Sequence, residues 1–250
     1  MRIIVYGITG HMGRIVASLL DKGFGGHSLA AGVSPNAPAG FGEYGYASLA
    51  DFPGEADCVV DFSRHDAVGE LLDWCVEKKL PLVIATTGHT PSEKAAIAAA
   101  AERIPIFFSA NMSVGVALLV KMARETAKMF PDADIEIVEA HHNRKLDVPS
   151  GTALMIAEEL RSVRPEAELV IGRHENGRRK KTEIGIHSLR LGNEVGSHEV
   201  IVSAGSQTIT LRHQAEDRAL FAEGALTAAS FLEGRGPGLY GMKDLIGGTK

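Results

Sequence analysis

Residues 3–33 hold the pattern that most restricts what this chain can fold into. Ile3-Ile4-Val5-Tyr6 is a continuous apolar run, as expected of a parallel strand buried on both faces. It breaks at Gly7-Ile8-Thr9-Gly10-His11-Met12-Gly13-Arg14. Met12, Ile15, Val16, Leu19 and Leu20 then trace one face of a helix that stops near Gly23. Leu29-Ala30-Ala31-Gly32-Val33 reads as a second strand. A strand, a glycine-rich turn, a helix and a strand make the unit that binds dinucleotides. Its glycines let the backbone approach a pyrophosphate seated on the helix N-terminus. The spacing is G-x-x-G-x-x-G rather than the commoner G-x-G-x-x-G.

The same alternation continues. Asp57–Phe62, Pro81–Ala85 and Ile104–Phe108 read as strands, and Val68, Leu71, Leu72 and Cys75 fall on one helical face. Thr90-Pro91-Ser92-Glu93 is a capping box with proline at the first helical position. The stretch from Gly40 to Pro53 yields no assignment. Strands alternating with helices predict an α/β fold, an N-terminal doubly wound parallel (Rossmann-type) sheet. Ligands of such sheets lie beyond the carboxyl ends of the strands. Here those ends are Gly7–Gly13, Thr86-Thr87 and Ser109–Met112.

Near Ser113 the pattern changes. A helix with Val114, Leu118 and Met122 leads to Pro131. Ile135-Glu136-Ile137-Val138 is a strand. Leu169–Arg173, Thr182–Arg190, Ser197–Ala204 and Thr208–His213 are strand-like, with Gly192-Asn193 and Gly205-Ser206 as hairpin signals. A second α+β domain on an open mixed sheet is expected. The alternation in Thr208–Leu211 predicts an apolar face left open for self-association. The basic run Arg173–Lys181 reads as a mobile, solvated loop. The small-residue helix Ala219–Leu232 is expected to pack back on the first domain. The predicted division is residues 1–112 plus about 218–250 for dinucleotide binding, and about 113–217 for substrate binding and oligomerisation.

Composition narrows the function classes. The chain has 250 residues, 45% of them apolar and 23% charged, which is ordinary for a soluble globular protein with a sizeable core. Its formal net charge of −5 argues against a general nucleic-acid binder. Cys58 and Cys75 sit in apolar runs without C-x-x-C spacing and read as buried thiols in a reducing compartment. No apolar run approaches the roughly 18 residues of a membrane span. Met1-Arg2 leads straight into a strand, without a signal-peptide layout. The expectation is a cytoplasmic protein with neither nucleic acid nor membrane as partner.

The chemistry concentrates in Glu139-Ala140-His141-His142-Asn143-Arg144-Lys145-Leu146-Asp147-Val148-Pro149-Ser150-Gly151-Thr152. The strand must end near His141, since alternation would otherwise send His141 and His142 to opposite faces. Ser150 is a good N-cap for a helix with Ala153, Ile156, Ala157 and Leu160 on one face. The start of that helix, around Gly151 and Thr152, favours a carboxylate or phosphate. One short segment therefore offers an anion seat, a cationic lysine and titratable imidazoles. A His-His pair and a Ser-Gly-Thr start also serve as a plain polar pair and a plain cap. No metal is expected, because adjacent histidines lack a ligand spacing such as His-x-x-x-His.

These residues resemble the dihydrodipicolinate reductase (4-hydroxy-tetrahydrodipicolinate reductase) family of lysine and diaminopimelate synthesis. The matching motifs, in order, are Gly7-x-x-Gly10-x-Met12-Gly13-Arg14, Asp61-Phe62-Ser63, Thr86-Thr87-Gly88, Ser109-Ala110-Asn111-Met112-Ser113, Glu139 through Ala153, Gly196-Ser197-His198-Glu199-Val200, and Phe221-Ala222-x-Gly224-Ala225. The resemblance spans Met1 to about Leu245. It implies that NADPH or NADH delivers hydride to a cyclic dicarboxylate imine or its dehydrated form. It implies proton transfer by His141 and Lys145, with His142, Lys145, Gly151 and Thr152 holding the substrate. It implies cofactor contacts at Gly7, Ile8, Thr9, Gly10, His11, Met12, Arg14, Ser34, Ala85, Thr86, Thr87, Ser109, Ala110, Asn111 and Met112. It also implies a homotetramer. The family usually has an acid where this chain has Ser34, and often Phe where Met112 stands. An acid at the end of the second strand binds the NADH ribose; Ser34 with Arg14 nearby points instead to NADPH used at least as well as NADH.

Overall fold

In a computed structural model that describes residues 1–247, the first strand is flanked by two others and the chain winds outward from it. The elements in order are β1 (Arg2–Tyr6), α1 (His11–Asp21), β2 (Ser28–Val33), α2 (Ala37–Phe41), β3 (Gly45–Tyr46), β4 (Cys58–Asp61), α3 (Val68–Lys78), β5 (Leu82–Ile84), α4 (Pro91–Ala101) and β6 (Pro105–Phe108). They are followed by α5 (Val114–Met129), β7 (Asp134–His141), α6 (Gly151–Arg161), β8 (Glu168–Ile171), β9 (Glu183–Arg190), β10 (Gly196–Ala204), β11 (Gln207–Ala215), α7 (Ala219–Leu232), β12 (Gly238–Tyr240) and α8 (Met242–Gly247). The chain folds as two compact units. The first joins Met1–Ser113 to the segment from Ala219 onward, and the second is Val114–Arg218.

The first unit is built on a parallel seven-stranded sheet in the order β12-β6-β5-β4-β1-β2-β3. Strand order reverses at β1, which places a ligand-binding crevice at its carboxyl end. The buried residues of β1 and β4 lie at the sheet's centre. Residues 37–46, unassigned from sequence, form α2 and the edge strand β3. The capping box forms as expected: Thr90 caps α4 and the Glu93 side chain accepts from the Thr90 N–H. Helix α7 packs on α1 and under β4, β5 and β6, so Ala222, Gly224, Ala225, Ala228 and Ala229 are buried. Cys58 and Cys75 are buried free thiols, and burial pushes the Cys58 thiol up to about 12.

The second unit has a mixed five-stranded sheet, β11-β10-β7-β9-β8. β10 is antiparallel to both β11 and β7, and β7 is parallel to β9. Its core is Ile135, Ile137, Ile184, Ile186, Val200 and Val202 under Ala153, Ile156, Ala157 and Leu160 of α6.

Three expectations need correction, and the structure shows which face of α5 is buried. The Gly205-Ser206 hairpin joins β10 to β11, but Gly192-Asn193 makes no hairpin, because β7 lies between β9 and β10. On α5 the buried residues are Val116, Leu119, Ala123 and Ala127, while Leu118 and Met122 are exposed. Ile209 and Leu211 of β11 do not form an open apolar face; they pack on the core, and Thr208 and Thr210 face outward. Arg179 is not simply solvated: it bonds Asp134 at 2.7 Å, Glu136 at 3.1 Å and the backbone oxygens of Ile135 and Glu183.

The glycine turn tolerates no side chain where α1 begins. A Cβ on Gly13 would lie 2.3 Å from the Gly7 carbonyl oxygen. Gly13→Ala must therefore move backbone, and overpacking of this kind costs about 1–3 kcal/mol. A lowered denaturant midpoint with unchanged slope is the expected result.

Candidate functional site

Two sets of side chains stand at strand ends, one in each unit. In the first, the turn after β1 is held by Gly7 N–H on the Val33 carbonyl (2.8 Å) and Gly10 N–H on the Gly7 carbonyl (3.0 Å). Gly7 has φ +87°, and a Cβ there would lie 2.6 Å from the Phe62 carbonyl oxygen. The backbone is therefore bare where a pyrophosphate would sit on the start of α1. Thr9 and Ser34 hydroxyls bond at 2.8 Å, tying the turn to the end of β2. Arg14 donates from Nε to the Thr9 carbonyl (3.1 Å) and lies 5.7 Å over the Phe41 ring, exposed to solvent.

Beside this turn lies a cavity of about 420 Å³ lined by His11, Met12, Phe62, Ser63, Ala85, Thr86, Thr87, Ala110, Met112 and Phe221. Seven of these were expected to touch a cofactor; Phe62, Ser63 and Phe221 were not. Phe62-Ser63 follow β4, so their place at the sheet's carboxyl edge was available as a signal. Ser63 N–H donates to Asp61 at 2.8 Å, which fixes that turn. Nothing local in the sequence places Phe221. Ser109 and Asn111 shape the neighbouring turn: Ser109 Oγ donates to the Asn111 carbonyl at 2.7 Å, and Asn111 Oδ1 accepts from Ser113 N–H at 2.9 Å. The bare turn and the cavity fit a dinucleotide with its nicotinamide end in the cavity.

In the second unit the centre is Glu139, which has no solvent exposure. Strand alternation puts Glu139 and His141 on one face. His141 Nδ1 lies 2.5 Å from Glu139 Oε2. Arg190, at the end of β9, donates to both Glu139 oxygens at 2.9 and 2.8 Å. Ser150 N–H donates to Oε1 at 3.2 Å. Ser150 caps α6 as expected, its Oγ accepting from Ala153 N–H at 3.2 Å. So His141 and the start of α6, with Gly151 and Thr152, share one anchor. Lys145 Nζ pairs with Asp147 Oδ1 at 2.8 Å. Burial of His142, and then Arg144 and Arg218, lower its imidazole from the usual value. Glu139, Arg190 and His198 were not predicted as site residues; the signs were the period-two spacing of Glu139 and His141 and the family motifs that contain Glu139 and His198.

Burial raises the Glu139 carboxyl, but hydrogen bonds from Arg190, Ser188 and His141 outweigh it and hold the carboxyl at about 2 against an ordinary 4.5. A depressed carboxyl adds stability that is present above its unfolded value and lost as pH falls through the folded one. For Glu139 that window runs from 4.5 down to about 2. Acid unfolding followed by circular dichroism should show this loss. Glu139→Gln should remove that part of the pH dependence. It should also cost about 3–5 kcal/mol at pH 7, because it strands the Arg190 cation.

Comparison with known proteins agrees over nearly the whole length. The family described as "Dihydrodipicolinate reductase, N-terminus" matches residues 1–112, and "Dihydrodipicolinate reductase, C-terminus" matches residues 115–246. The chain is 45% identical to a 4-hydroxy-tetrahydrodipicolinate reductase of Caldanaerobacter subterraneus subsp. tengcongensis, covering 98% of each chain. It is 40% identical to the protein of that name from Clostridium tetani, covering 98% of this chain and 97% of that one. Its fold is similar to that of a dipicolinate-bound dihydrodipicolinate reductase from Paenisporosarcina sp. TG-14, with a TM-score of 0.77, 24% identity and 98% of each chain covered.

Proposed function

The chain belongs to the dihydrodipicolinate reductase family and acts as a 4-hydroxy-tetrahydrodipicolinate reductase in lysine biosynthesis, and we propose that His141 and Lys145 carry its chemistry. It is a dinucleotide-dependent oxidoreductase using NAD(P)H on a small cyclic dicarboxylate. The observation that carries the assignment of roles is Glu139, whose two oxygens bind the His141 ring and the start of α6 together.

The reduced nicotinamide supplies a hydride when bound. Gly7, Ile8, Thr9, Gly10, His11, Met12, Arg14 and Ser34 would hold the dinucleotide's phosphates and adenosine end. Ala85, Thr86, Thr87, Ser109, Ala110, Asn111 and Met112 would hold its other end. Loss of water from the 4-hydroxy substrate gives the unsaturated acceptor, and hydride addition would leave that acceptor one proton short. Glu139 is ionised and accepts from His141 Nδ1–H, which leaves Nε2 to exchange the proton. A substrate carboxylate docks at Gly151 and Thr152, where the helix dipole favours an anion, with His142 alongside. Lys145 exchanges Asp147 for that carboxylate in a charge-assisted bond, which sets its ammonium beside the acceptor as a second proton donor.

A positioned acid contributes roughly 10²–10⁴-fold. Lys145→Ala should lower kcat by at least about 10² and raise KM for the dicarboxylate, with NADPH binding intact. His141→Ala should lower kcat with less effect on KM. Stopped-flow NADPH oxidation with freshly generated substrate tests both. Lys145→Ala keeping more than about half of wild-type kcat/KM would refute the assignment.

NADPH should serve at least as well as NADH. The Thr9–Ser34 hydroxyl pair is neutral and Arg14 stands exposed beside it. A ribose phosphate meets no repelling acid there and gains a cation. Ser34→Glu should move preference toward NADH. A wild-type kcat/KM favouring NADH tenfold, about 1.4 kcal/mol, would contradict this.

The assembly is a homotetramer formed through the second unit, in the cytoplasm. Leu118, Met122, Met129, Ile171, Leu189 and Leu191 of that unit are large, apolar and exposed, and association would remove that apolar surface from water. No helix among the described residues is long and apolar enough to cross a membrane. Light scattering at micromolar concentration should give four chains; a monomer would refute the assembly.

A further inference from the structure

His198 lies opposite Glu139 in the β7–β10 ladder and is 5% exposed. Its Nε2 is 3.1 Å from Ser150 Oγ, the atom that caps α6. Its ring meets the His141 ring edge-on, with centroids 5.2 Å apart and planes at 73°. Two residues earlier on the same strand, Gly196 leaves room for that ring: a Cβ there would lie 3.0 Å from His141 Nε2. Among the described residues nothing hydrogen-bonds His198 Nδ1. A buried imidazole with one nitrogen unpartnered is a poor space filler, because the orphaned polar atom costs free energy that an apolar side chain of similar size avoids.

We infer that His198 is a positioning residue, holding the Ser150 cap at the head of the substrate helix with Nε2 and fixing the His141 ring by the T-shaped ring contact. The inference rests on the reading of His141 as the proton carrier. The charged and titratable groups around the pair are Glu139 on β7, Arg190 on β9 behind Glu139, His213 opposite His198 on β11, and Lys145 in the loop. Burial first, and then His141, lower the His198 imidazole to about 4, although Glu139 opposes this. His198 is thus uncharged at neutral pH, and His141 takes up a proton without meeting a second cation on the adjacent ring.

The two contacts can be separated. His198→Phe keeps a ring but has no nitrogen for Ser150. His198→Gln places an amide at about the reach of Nε2 but removes the ring. Steady-state kinetics, calorimetric binding of pyridine-2,6-dicarboxylate, NADPH affinity, the pH profile of kcat and the denaturant midpoint are measured for each. His198→Phe should weaken dicarboxylate binding about tenfold while the pH limb of kcat stays in place. His198→Gln should keep binding within about threefold, lower kcat about tenfold and move that limb by at least about half a pH unit. NADPH affinity should be unchanged in both. Wild-type behaviour in either variant overturns the inference. So does a uniform loss of NADPH affinity, dicarboxylate binding and stability, which would mark His198 as merely structural. If one variant does not fold, the other decides. His141→Ala runs in parallel. If it keeps wild-type kcat, the proton-carrier reading fails and this inference with it. If it loses about 10² while both His198 variants match wild type, only this inference fails.

Discussion

A carboxylate with no solvent exposure holds the second unit's working end together. A buried ion is costly unless its partners replace the water it has lost. Glu139 has those partners: two donors from Arg190, the His141 ring and the Ser150 N–H. They come from the end of β9, the end of β7 and the start of α6. Arg190 also donates to the Asp147 carbonyl at 2.7 Å, which reaches the loop that carries Lys145. One charge pair thus fixes four pieces of chain, and removal of either member leaves the other stranded.

Among its described residues the first unit has no buried ion pair of this kind at its site. Its turn is set by backbone hydrogen bonds and by the absence of side chains at Gly7 and Gly13. Backbone N–H groups and a helix N-terminus suit a phosphate whose charge is delocalised over several oxygens. On the proposed reading the second unit handles a carboxylate and a proton, which call for directed side-chain chemistry. Each unit would then be preorganised by the means its ligand requires, so less ordering would remain when the ligand binds.

The legible parts of the sequence were local. The β1–α1–β2 unit, the capping box at Thr90 and the Ser150 cap each depend on residues within a few positions of one another, and each appears in the structure. The misread parts depended on distant pairing. Gly192-Asn193 looks like a hairpin, but β7, formed far earlier in the chain, pairs with both flanking strands. On α5 two stripes compete, and the one with smaller residues, Ala123 and Ala127, is buried under the sheet. Arg190 meets Glu139 across a separation of 51 residues, and His198 meets Ser150 across 48. Neither pair leaves a short-range pattern. The motif containing His141 and Lys145 marked the place, but not the carboxylate beneath it.

The electrostatics of the proposed site separate into a permanent part and an exchangeable part. The Glu139–Arg190 pair has Glu139 fully buried and Arg190 mostly so, with side-chain exposures of 0% and 17%. Breaking it would uncover a charge with no water to receive it. The Lys145–Asp147 pair is different, because the Asp147 side chain is 58% exposed. Asp147 keeps much of its water, so this pair is held less firmly than the buried one, although the Lys145 side chain is itself only 21% exposed. Lys145 can therefore give up Asp147 for an incoming carboxylate at little cost, while Glu139 keeps the His141 ring and the helix start where they were. An acid that does not move and a cation free to change partners suit a substrate that must be both captured and protonated in one place.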